Sequence, residues 1–178
     1  ANKGFNLVLV DFNKEGMRAT KEAVSKISGA EVKTIYFDYE HSQEWKDYEE
    51  FAKTSGEVGG KEKISILINN IEERDPKGAK FHKASDESLI QTINMNSFPL
   101  VFMTKFLGPD LKERVSDSTK SAIINMTSAY ADYPTESLPI FSSAKSFSDV
   151  FSQNLWYENQ EMDILTVKHM PTKSKASP

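Results

Sequence analysis

The chain alternates short apolar runs with longer amphipathic segments, and this alternation limits the possible folds more than any other feature. Each run is rich in Val, Ile, Leu, Phe or Tyr, as expected of a parallel strand that is buried on both faces. The five runs read FNLVLVDF, EVKTIYFDYE, ISILINN, SAIINMTS and DILTVKHM. Strands that alternate with helices predict an α/β fold with a parallel sheet, right-handed crossovers and covering helices.

Helical segments separate the runs, and capping residues mark some of their ends. Asn13 predicts a helix start and Gly29 a helix end, while Pro99 is expected to disturb the longest helix locally. The stretch TSGEVGGKEK reads as a loop. The segments predicted as helical run from Asn13 to about Ser28, around Trp45, Tyr48 and Phe51, from Ser85 to Arg114, and from Ser142 to Glu158.

Composition and charge argue against several classes of function. The 178 residues suit one domain, and the net charge of −4, with both signs mixed, does not favour nucleic-acid binding. No apolar run approaches the roughly 20 residues that span a bilayer. The absence of cysteine excludes disulfides and thiolate chemistry, and three histidines without metal-ligand spacing argue against a metal site. We predict one domain over residues 1–171 and a polar tail over 172–178.

Four short motifs follow one another at the predicted strand and helix ends. They are LINNIE after the third apolar run, TINMN in the long helix, INMTSAYA at the end of the fourth run, and FSSAK in the last helix. Together they resemble the short-chain dehydrogenase/reductase family. The likeness is greatest to its 3-oxoacyl-CoA reductase and 17β-hydroxysteroid dehydrogenase branch, which includes inactive hydroxysteroid dehydrogenase-like members. The resemblance runs from Gly4 to about Pro171 and implies a degenerate, doubly wound Rossmann-like domain.

The resemblance implies a catalytic set in which one member is altered. Asn94 stands where the family's Asn holds a water, Ser128 where its Ser polarises the substrate carbonyl, and Lys145 where its Lys activates a Tyr and contacts the nicotinamide ribose. The Tyr position holds Phe141, whose ring has no proton to exchange. Structural roles remain open for Asn94 and Ser128, as hydrogen-bond partners of nearby backbone. The preceding loop offers two other phenols, Tyr130 and Tyr133.

The cofactor positions that the resemblance implies are only partly kept. Asp11 matches the residue that binds the adenine ribose hydroxyls, Asp38 matches a residue near adenine, and Asn69 and Asn70 match the Asn pair of a cofactor-side turn. Glu72 stands where that turn has Gly, and its carboxylate would face the cofactor's phosphates. No Gly-rich turn precedes the first run, so we expect no cofactor, with NAD preferred over NADP if one binds. The Asp residues also suit turns or helix caps, and the Asn pair suits a strand-end turn.

The resemblance also predicts an incomplete sheet. In the strand order 3-2-1-4-5-6, the central first strand and its Gly-rich loop have no counterpart here. Both neighbouring strands are therefore expected to have unpaired edges. We expect a preceding segment of the parent protein, or another chain, to fill the gap.

Three functions are compatible with these observations. The leading hypothesis is a catalytically inactive short-chain dehydrogenase-like protein that acts as a structural or accessory subunit. Under this hypothesis, no enzyme activity is expected. One alternative is an NAD(P)-dependent 3-oxoacyl-CoA or ketosteroid reductase whose Gly-rich loop lies elsewhere in the parent protein. The other is a dinucleotide- or lipid-sensing module. The resembled branch implies an intracellular location, at the endoplasmic reticulum membrane or in the mitochondrion.

Large apolar side chains recur every four residues on two predicted helices and predict protein partners. A hetero-assembly is expected rather than a homodimer, because the domain lacks a central strand. Aromatic anchors of this kind are enriched at interface hot spots. The alternative is that the stripes only cover the domain's own sheet. The residues concerned are Phe98, Phe102, Phe106, Phe147, Phe151, Leu155 and Trp156.

Overall fold

The computed structural model describes residues 4–59, 64–72 and 80–170, and the predicted polar tail lies outside these ranges. Strands and helices alternate along the described chain, and all paired strands are parallel, which confirms the α/β prediction. The elements are β1 (Leu7–Asp11), α1 (Lys14–Ser28), β2 (Val32–Tyr36), α2 (Trp45–Gly59), β3 (Ile66–Asn69), α3 (Asp86–Glu113), β4 (Ala122–Ser128), α4 (Pro139–Glu158) and β5 (Asp163–His169), with 3-10 turns at Phe81–Lys83 and Ala129–Ala131. The chain divides into two compact units between Ile64 and Ser65.

The first unit pairs β1 with β2 and packs α1 and α2 against them. The Asn13 side chain accepts a hydrogen bond from the Gly16 amide at 2.9 Å, and Gly29 ends α1 with a φ of 63°. Both helix-end predictions are therefore confirmed.

The second helix of this unit is longer than the sequence indicated. Thr54 was predicted to begin a loop, but α2 continues to Gly59, and residues 60–63 lie outside the described ranges. Tyr48 and Phe51 are buried on α2 and pack against Phe37, with ring centroids 5.3 and 4.8 Å away. This tertiary packing anchors the helix and outweighs the weak helix propensity of the Ser-Gly pair.

The second unit is a three-stranded parallel sheet in the order β3-β4-β5. The central strand presents Ile123, Asn125 and Thr127, all fully buried, on one face. The helices α3 and α4 pack against this unit's strands and against each other. Ser85 caps α3 by accepting from the Ser88 amide at 3.2 Å, and α3 continues through the expected disturbance at Pro99.

The opposite face of this sheet differs from the prediction of strands buried on both faces. Ile68 is 58% exposed, and Leu165 and Val167 are 52% and 41% exposed. Among the described strands β1 pairs only with β2, and β3 pairs only with β4. This pairing confirms an incomplete doubly wound sheet, because the order 3-2-1-4-5-6 without its first strand leaves a two-stranded and a three-stranded piece.

Candidate functional site

The carboxyl ends of the second unit's strands carry most of the candidate catalytic residues. Ser128 ends β4, Glu72 follows β3, and His169 ends β5. The first turns of α4 carry Phe141 and Lys145, which lie four residues apart and therefore on one side of the helix. In open α/β sheets, this end is where ligands bind.

Phe141 is a packed core residue at this end of the sheet. Its side chain is 2% exposed, and the ring of Tyr130 meets it edge-on with the centroids 6.0 Å apart. The Lys145 ammonium lies over the Phe141 ring, 5.4 Å from its centroid. The ring thus keeps the place and packing of an aromatic residue without supplying an acidic proton.

Lys145 is almost completely buried, and its charge is compensated from the turn after β3. Its Nζ lies 3.6 Å from a Glu72 carboxylate oxygen and 3.5 Å from the Ile71 carbonyl oxygen, to which it donates. Burial lowers the pKa of the Lys145 ammonium below its ordinary value, and the charge and hydrogen bond of Glu72 oppose this shift without cancelling it. Glu72 therefore serves as the counter-ion of the lysine that the family uses in catalysis.

His169 holds the same carboxylate from the end of β5. Its Nε2 lies 2.9 Å from Glu72 Oε2, the oxygen that also contacts Lys145, and its Nδ1 lies 3.2 Å from the Met170 carbonyl oxygen. Both oxygens are acceptors, so both contacts are hydrogen bonds only when the imidazole carries two protons. The sequence analysis did not predict this cluster. The signal for it was the combination of a retained Lys145 with a Glu72 that replaces the family's Gly.

Ser128 and its neighbour Thr127 have structural contacts. Ser128 is 1% exposed, and its Oγ accepts from the Tyr130 amide at 3.4 Å, which caps the following 3-10 turn. Thr127 donates its hydroxyl to the Lys145 carbonyl at 3.0 Å and ties α4 to β4. The hydrogen bond from the Tyr130 amide fits the alternative interpretation of Ser128, in which its hydroxyl satisfies nearby backbone.

The two asparagines of the TINMN motif have different environments. Asn94, the predicted site residue, is half-buried on α3. Asn96 is 4% exposed, donates to the Thr92 carbonyl at 2.8 Å, and lines a small cavity that Lys145 also lines. Ser148 donates to the Asn96 carbonyl at 3.3 Å. The asparagine that lines the cavity with Lys145 is therefore Asn96, two residues after the predicted Asn94.

The Asn pair after β3 is divided between the interior and the surface. Asn69 is 9% exposed and donates to Asn125 Oδ1 at 2.8 Å and to Thr104 Oγ1 at 3.3 Å. Asn125 continues the chain by donating to Ser152 Oγ at 2.8 Å. Asn70 is exposed. Asn69 thus links β3 to β4 and α3, a structural role that differs from the strand-end turn suggested by the sequence.

Both predicted adenine-side aspartates lie at strand ends in the first unit, since Asp11 is the last residue of β1 and Asp38 follows β2. Asp11 accepts from the Asn13 amide at 2.8 Å. Asp38 accepts from the amides of Glu40 and His41 and lies 2.9 Å from the His41 ring nitrogen. Burial tends to raise the pKa of Asp38, but its hydrogen bonds and the charge of His41 outweigh burial and lower the pKa. Both carboxylates therefore stabilise turns.

Comparison with known proteins gives the family. The family model for short chain dehydrogenases matches residues 1–176. The chain belongs to the short-chain dehydrogenase family, which confirms the resemblance inferred from its motifs.

Curated relatives include both a reductase and an inactive protein. The chain is 27% identical over 173 residues to the very-long-chain 3-oxoacyl-CoA reductase of Anas platyrhynchos, a match that covers 96% of this chain and 52% of that protein. It is 26% identical over 172 residues to the inactive hydroxysteroid dehydrogenase-like protein 1 of Homo sapiens, with coverage of 96% and 49%. The chain thus spans about half the length of these curated relatives.

Solved structures share the fold at lower identity. The short-chain dehydrogenase from Sphingobium yanoikuyae in complex with NADPH has a TM-score of 0.81 and 22% identity, with 97% of this chain and 63% of that chain covered. The alcohol dehydrogenase from the archaeon Thermococcus sibiricus, complexed with 5-hydroxy-NADP, has a TM-score of 0.80 and 15% identity, with coverage of 97% and 68%.

The expectation of no cofactor is contradicted by these structures, because the shared fold was solved with NADPH and 5-hydroxy-NADP bound. The prediction depended on one missing segment, the Gly-rich turn. A dinucleotide in a doubly wound fold lies across the carboxyl ends of several strands, so the absence of one segment is not sufficient evidence that no dinucleotide binds.

The described residues lack both a membrane-spanning helix and a cluster of metal ligands. Within residues 4–59, 64–72 and 80–170, no helix combines the length and apolar character needed to cross a bilayer. The same ranges contain no group of three or more His, Cys, Asp or Glu side chains arranged to hold a metal ion.

Proposed function

We propose that this protein is a catalytically inactive short-chain dehydrogenase that serves as a structural or accessory subunit of a protein assembly. The observation that carries the proposal is the buried ring of Phe141, which stands at the family's tyrosine position under the Lys145 ammonium. A phenyl ring cannot protonate an alkoxide. Loss of a general acid removes about two to four orders of magnitude in rate.

The environment of Lys145 supports the same proposal. In the family motif, this lysine contacts a ribose and lowers the pKa of the tyrosine. Here its Nζ is directed to Glu72 and the Ile71 carbonyl, both within 3.6 Å. Two elements of the family's reaction are therefore altered together, the proton donor and the cation that activates it.

The test is oxidation of NADPH and NADH by the full-length protein with 3-oxoacyl-CoA and ketosteroid substrates. A very-long-chain 3-oxoacyl-CoA reductase serves as the positive control. We expect no turnover above the blank, and Phe141→Tyr alone is expected not to restore it, because Glu72 still engages Lys145. Turnover of the wild-type protein in the common range of about 1–1000 per second would refute the proposal.

A working NAD(P)-dependent reductase is the second candidate, and Tyr130 is the observation that favours it. Its ring contacts Phe141 edge-on with the centroids 6.0 Å apart, so its phenol is a candidate for the alternative proton source. If the protein reduces ketones through this residue, Tyr130→Phe abolishes the activity. Tyr133→Phe is the matched control, since Tyr133 is 69% exposed.

The role in an assembly is supported by the two helices of the second unit. The rings of Phe102 and Phe106 stack at 6.4 Å and those of Phe147 and Phe151 at 6.0 Å, and none of the four belongs to the buried residues of α3 or α4. Trp156 is 43% exposed. Phe147 is 45% exposed, and the other three rings are half-buried. A partly exposed apolar surface is a common mark of a protein–protein contact.

The contact is tested by the mass of the assembly. Phe147 and Val150 are 45% and 56% exposed on α4, and Phe147→Asp or Val150→Asp is expected to release the protein from its complex in native mass spectrometry. Ile27→Asp is the control, because Ile27 is 70% exposed on α1 of the other unit. A wild-type protein that remains a monomer, alone and after purification from cells, would contradict the assembly role.

We propose a dinucleotide of the NAD(P) class as the ligand of the whole protein. Structures with the same fold were solved with NADPH and 5-hydroxy-NADP. Binding without hydride transfer would add a sensing role to the structural one. Calorimetric titration of NADPH and NADH into the full-length protein tests the binding, and the absence of binding heat with both dinucleotides would contradict it.

A location at the endoplasmic reticulum membrane or in the mitochondrion is also proposed, because the resembled branch and other dehydrogenase-like subunits work there. Imaging of the tagged full-length protein with markers for both compartments tests this. Exclusive signal in any other compartment would contradict it.

A further inference from the structure

Glu72, Lys145 and His169 form a charged cluster across the ends of β3, α4 and β5. A single carboxylate oxygen, Glu72 Oε2, lies 3.6 Å from Lys145 Nζ and 2.9 Å from His169 Nε2. The cluster therefore joins three elements through one acceptor atom.

The three side chains differ in their access to water. The Lys145 side chain is 2% exposed, so its charge depends on neighbouring protein oxygens, and a buried ammonium without an anion is strongly unfavourable. The Glu72 and His169 side chains are 33% and 35% exposed. The carboxylate is therefore open to solvent on one side and is able to leave the lysine, whereas the lysine cannot leave the interior.

A ligand that contacts Lys145 must offer an oxygen in place of Glu72 Oε2. Ribose hydroxyls and phosphate oxygens provide such acceptors. A phosphate group near the site would also be repelled by the Glu72 carboxylate. Both effects act against binding for as long as Glu72 remains on the lysine.

We propose that Glu72 is an internal occupant of the ligand position on Lys145, held there by His169, and that a dinucleotide reaches this lysine only by displacing it. This inference rests on the proposed function, in which the ligand is a dinucleotide of the NAD(P) class. It assigns to Glu72 the control of ligand affinity at a site whose chemistry has been lost.

The first test measures the dissociation constant of NADPH for the full-length protein. Glu72→Gln keeps the size of the side chain and removes its charge, and we expect it to tighten NADPH binding at least tenfold. The control is Asp149→Asn, which removes a carboxylate one helical turn from Lys145 that pairs with Lys168 at 2.9 Å instead. The control is expected to leave the NADPH affinity unchanged. Equal or weaker binding by Glu72→Gln, or no NADPH binding by either protein, overturns the proposal.

The second test does not depend on any ligand. The equilibrium constant for unfolding is measured by urea denaturation for Glu72→Gln, Lys145→Met and the double variant. Glu72→Gln is expected to raise this constant about tenfold when Lys145 is present, and less than about twofold in the Lys145→Met background, because only the partly exposed contact between Glu72 and His169 is then altered.

An equal effect of Glu72→Gln in both backgrounds would show that Glu72 does not act through Lys145 and would overturn the inference. Hydride transfer by the wild-type protein would instead contradict the inactive function, without changing either expected ratio. The two proposals therefore fail on different measurements.

Discussion

Replacing Phe141 with alanine tests whether the site has become a packing element. The ring is 2% exposed, contacts Tyr130 edge-on at 6.0 Å, and lies 5.4 Å from the Lys145 ammonium. Truncation of a buried Phe to Ala costs about 3–5 kcal/mol, from lost burial and the cavity that remains. The loss of the cation–π contact and the closer access of water to Lys145 change the free energy of unfolding by amounts that are included in this range. Folded domains are stable by only about 5–15 kcal/mol, so we expect a large part of the total stability to be lost.

The assay is urea denaturation followed by circular dichroism, with the free energy of unfolding taken by linear extrapolation. Phe141→Leu should cost clearly less than Phe141→Ala, because it keeps most of the apolar volume. Tyr133→Ala is the control, and since Tyr133 is 69% exposed it should change stability by about 0.5 kcal/mol or less. A loss below about 1 kcal/mol for Phe141→Ala would refute the packing role.

Three further predictions concern the rest of the fold. Gly29→Ala should destabilise by about 1–2 kcal/mol in the same denaturation assay, because Gly29 has a φ of 63°, whereas Gly108→Ala inside α3 should not destabilise; equal effects would contradict this. Asn125→Ala should cost about 1–3 kcal/mol, because it removes two buried hydrogen bonds, one from Asn69 and one to Ser152, and a change below about 0.5 kcal/mol would contradict the network. The pKa of Asp38 is lowered in the fold, so its stabilising effect is present above the ordinary value of 3.8 and is lost as the pH falls through the lower folded value; Asp38→Asn should therefore weaken the protein more at pH 6 than at pH 2, and a constant difference in melting temperature would refute this sign.

Much of the fold could be predicted from local patterns. The apolar runs coincide with β1 to β5, capping chemistry located the ends of α1 through Asn13 and Gly29, and helical spacing located the start of α3 near Ser85. These features depend on a few neighbouring residues. The end of α2 was missed because it depends on the packing of Tyr48 and Phe51 against a distant aromatic ring, which no local propensity records.

The candidate site was only partly accessible from the sequence. Motif order located Ser128, Phe141 and Lys145, which lie together at one end of the second unit. The partners of Lys145 were not accessible, since Glu72 and His169 are 97 residues apart and meet only when parallel strands align their carboxyl ends. The exposed face of β3 and β5 was missed for a different reason, because an apolar run indicates strand formation and not what covers it.

Two departures from the family pattern, Phe141 and Glu72, have a common physical explanation. A buried lysine is tolerated only when an anion or a set of acceptors offsets its desolvation. In an active member, the phenol and the ribose hydroxyls make use of that cation. Because Phe141 replaces the tyrosine, no phenol requires the Lys145 ammonium to remain unpaired. The free-energy cost of burying the ammonium is nevertheless unchanged. A carboxylate from the turn after β3, 3.6 Å away, reduces that cost. Under the proposed function, the glutamate that hinders a dinucleotide at this position therefore also stabilises a lysine that no longer takes part in catalysis.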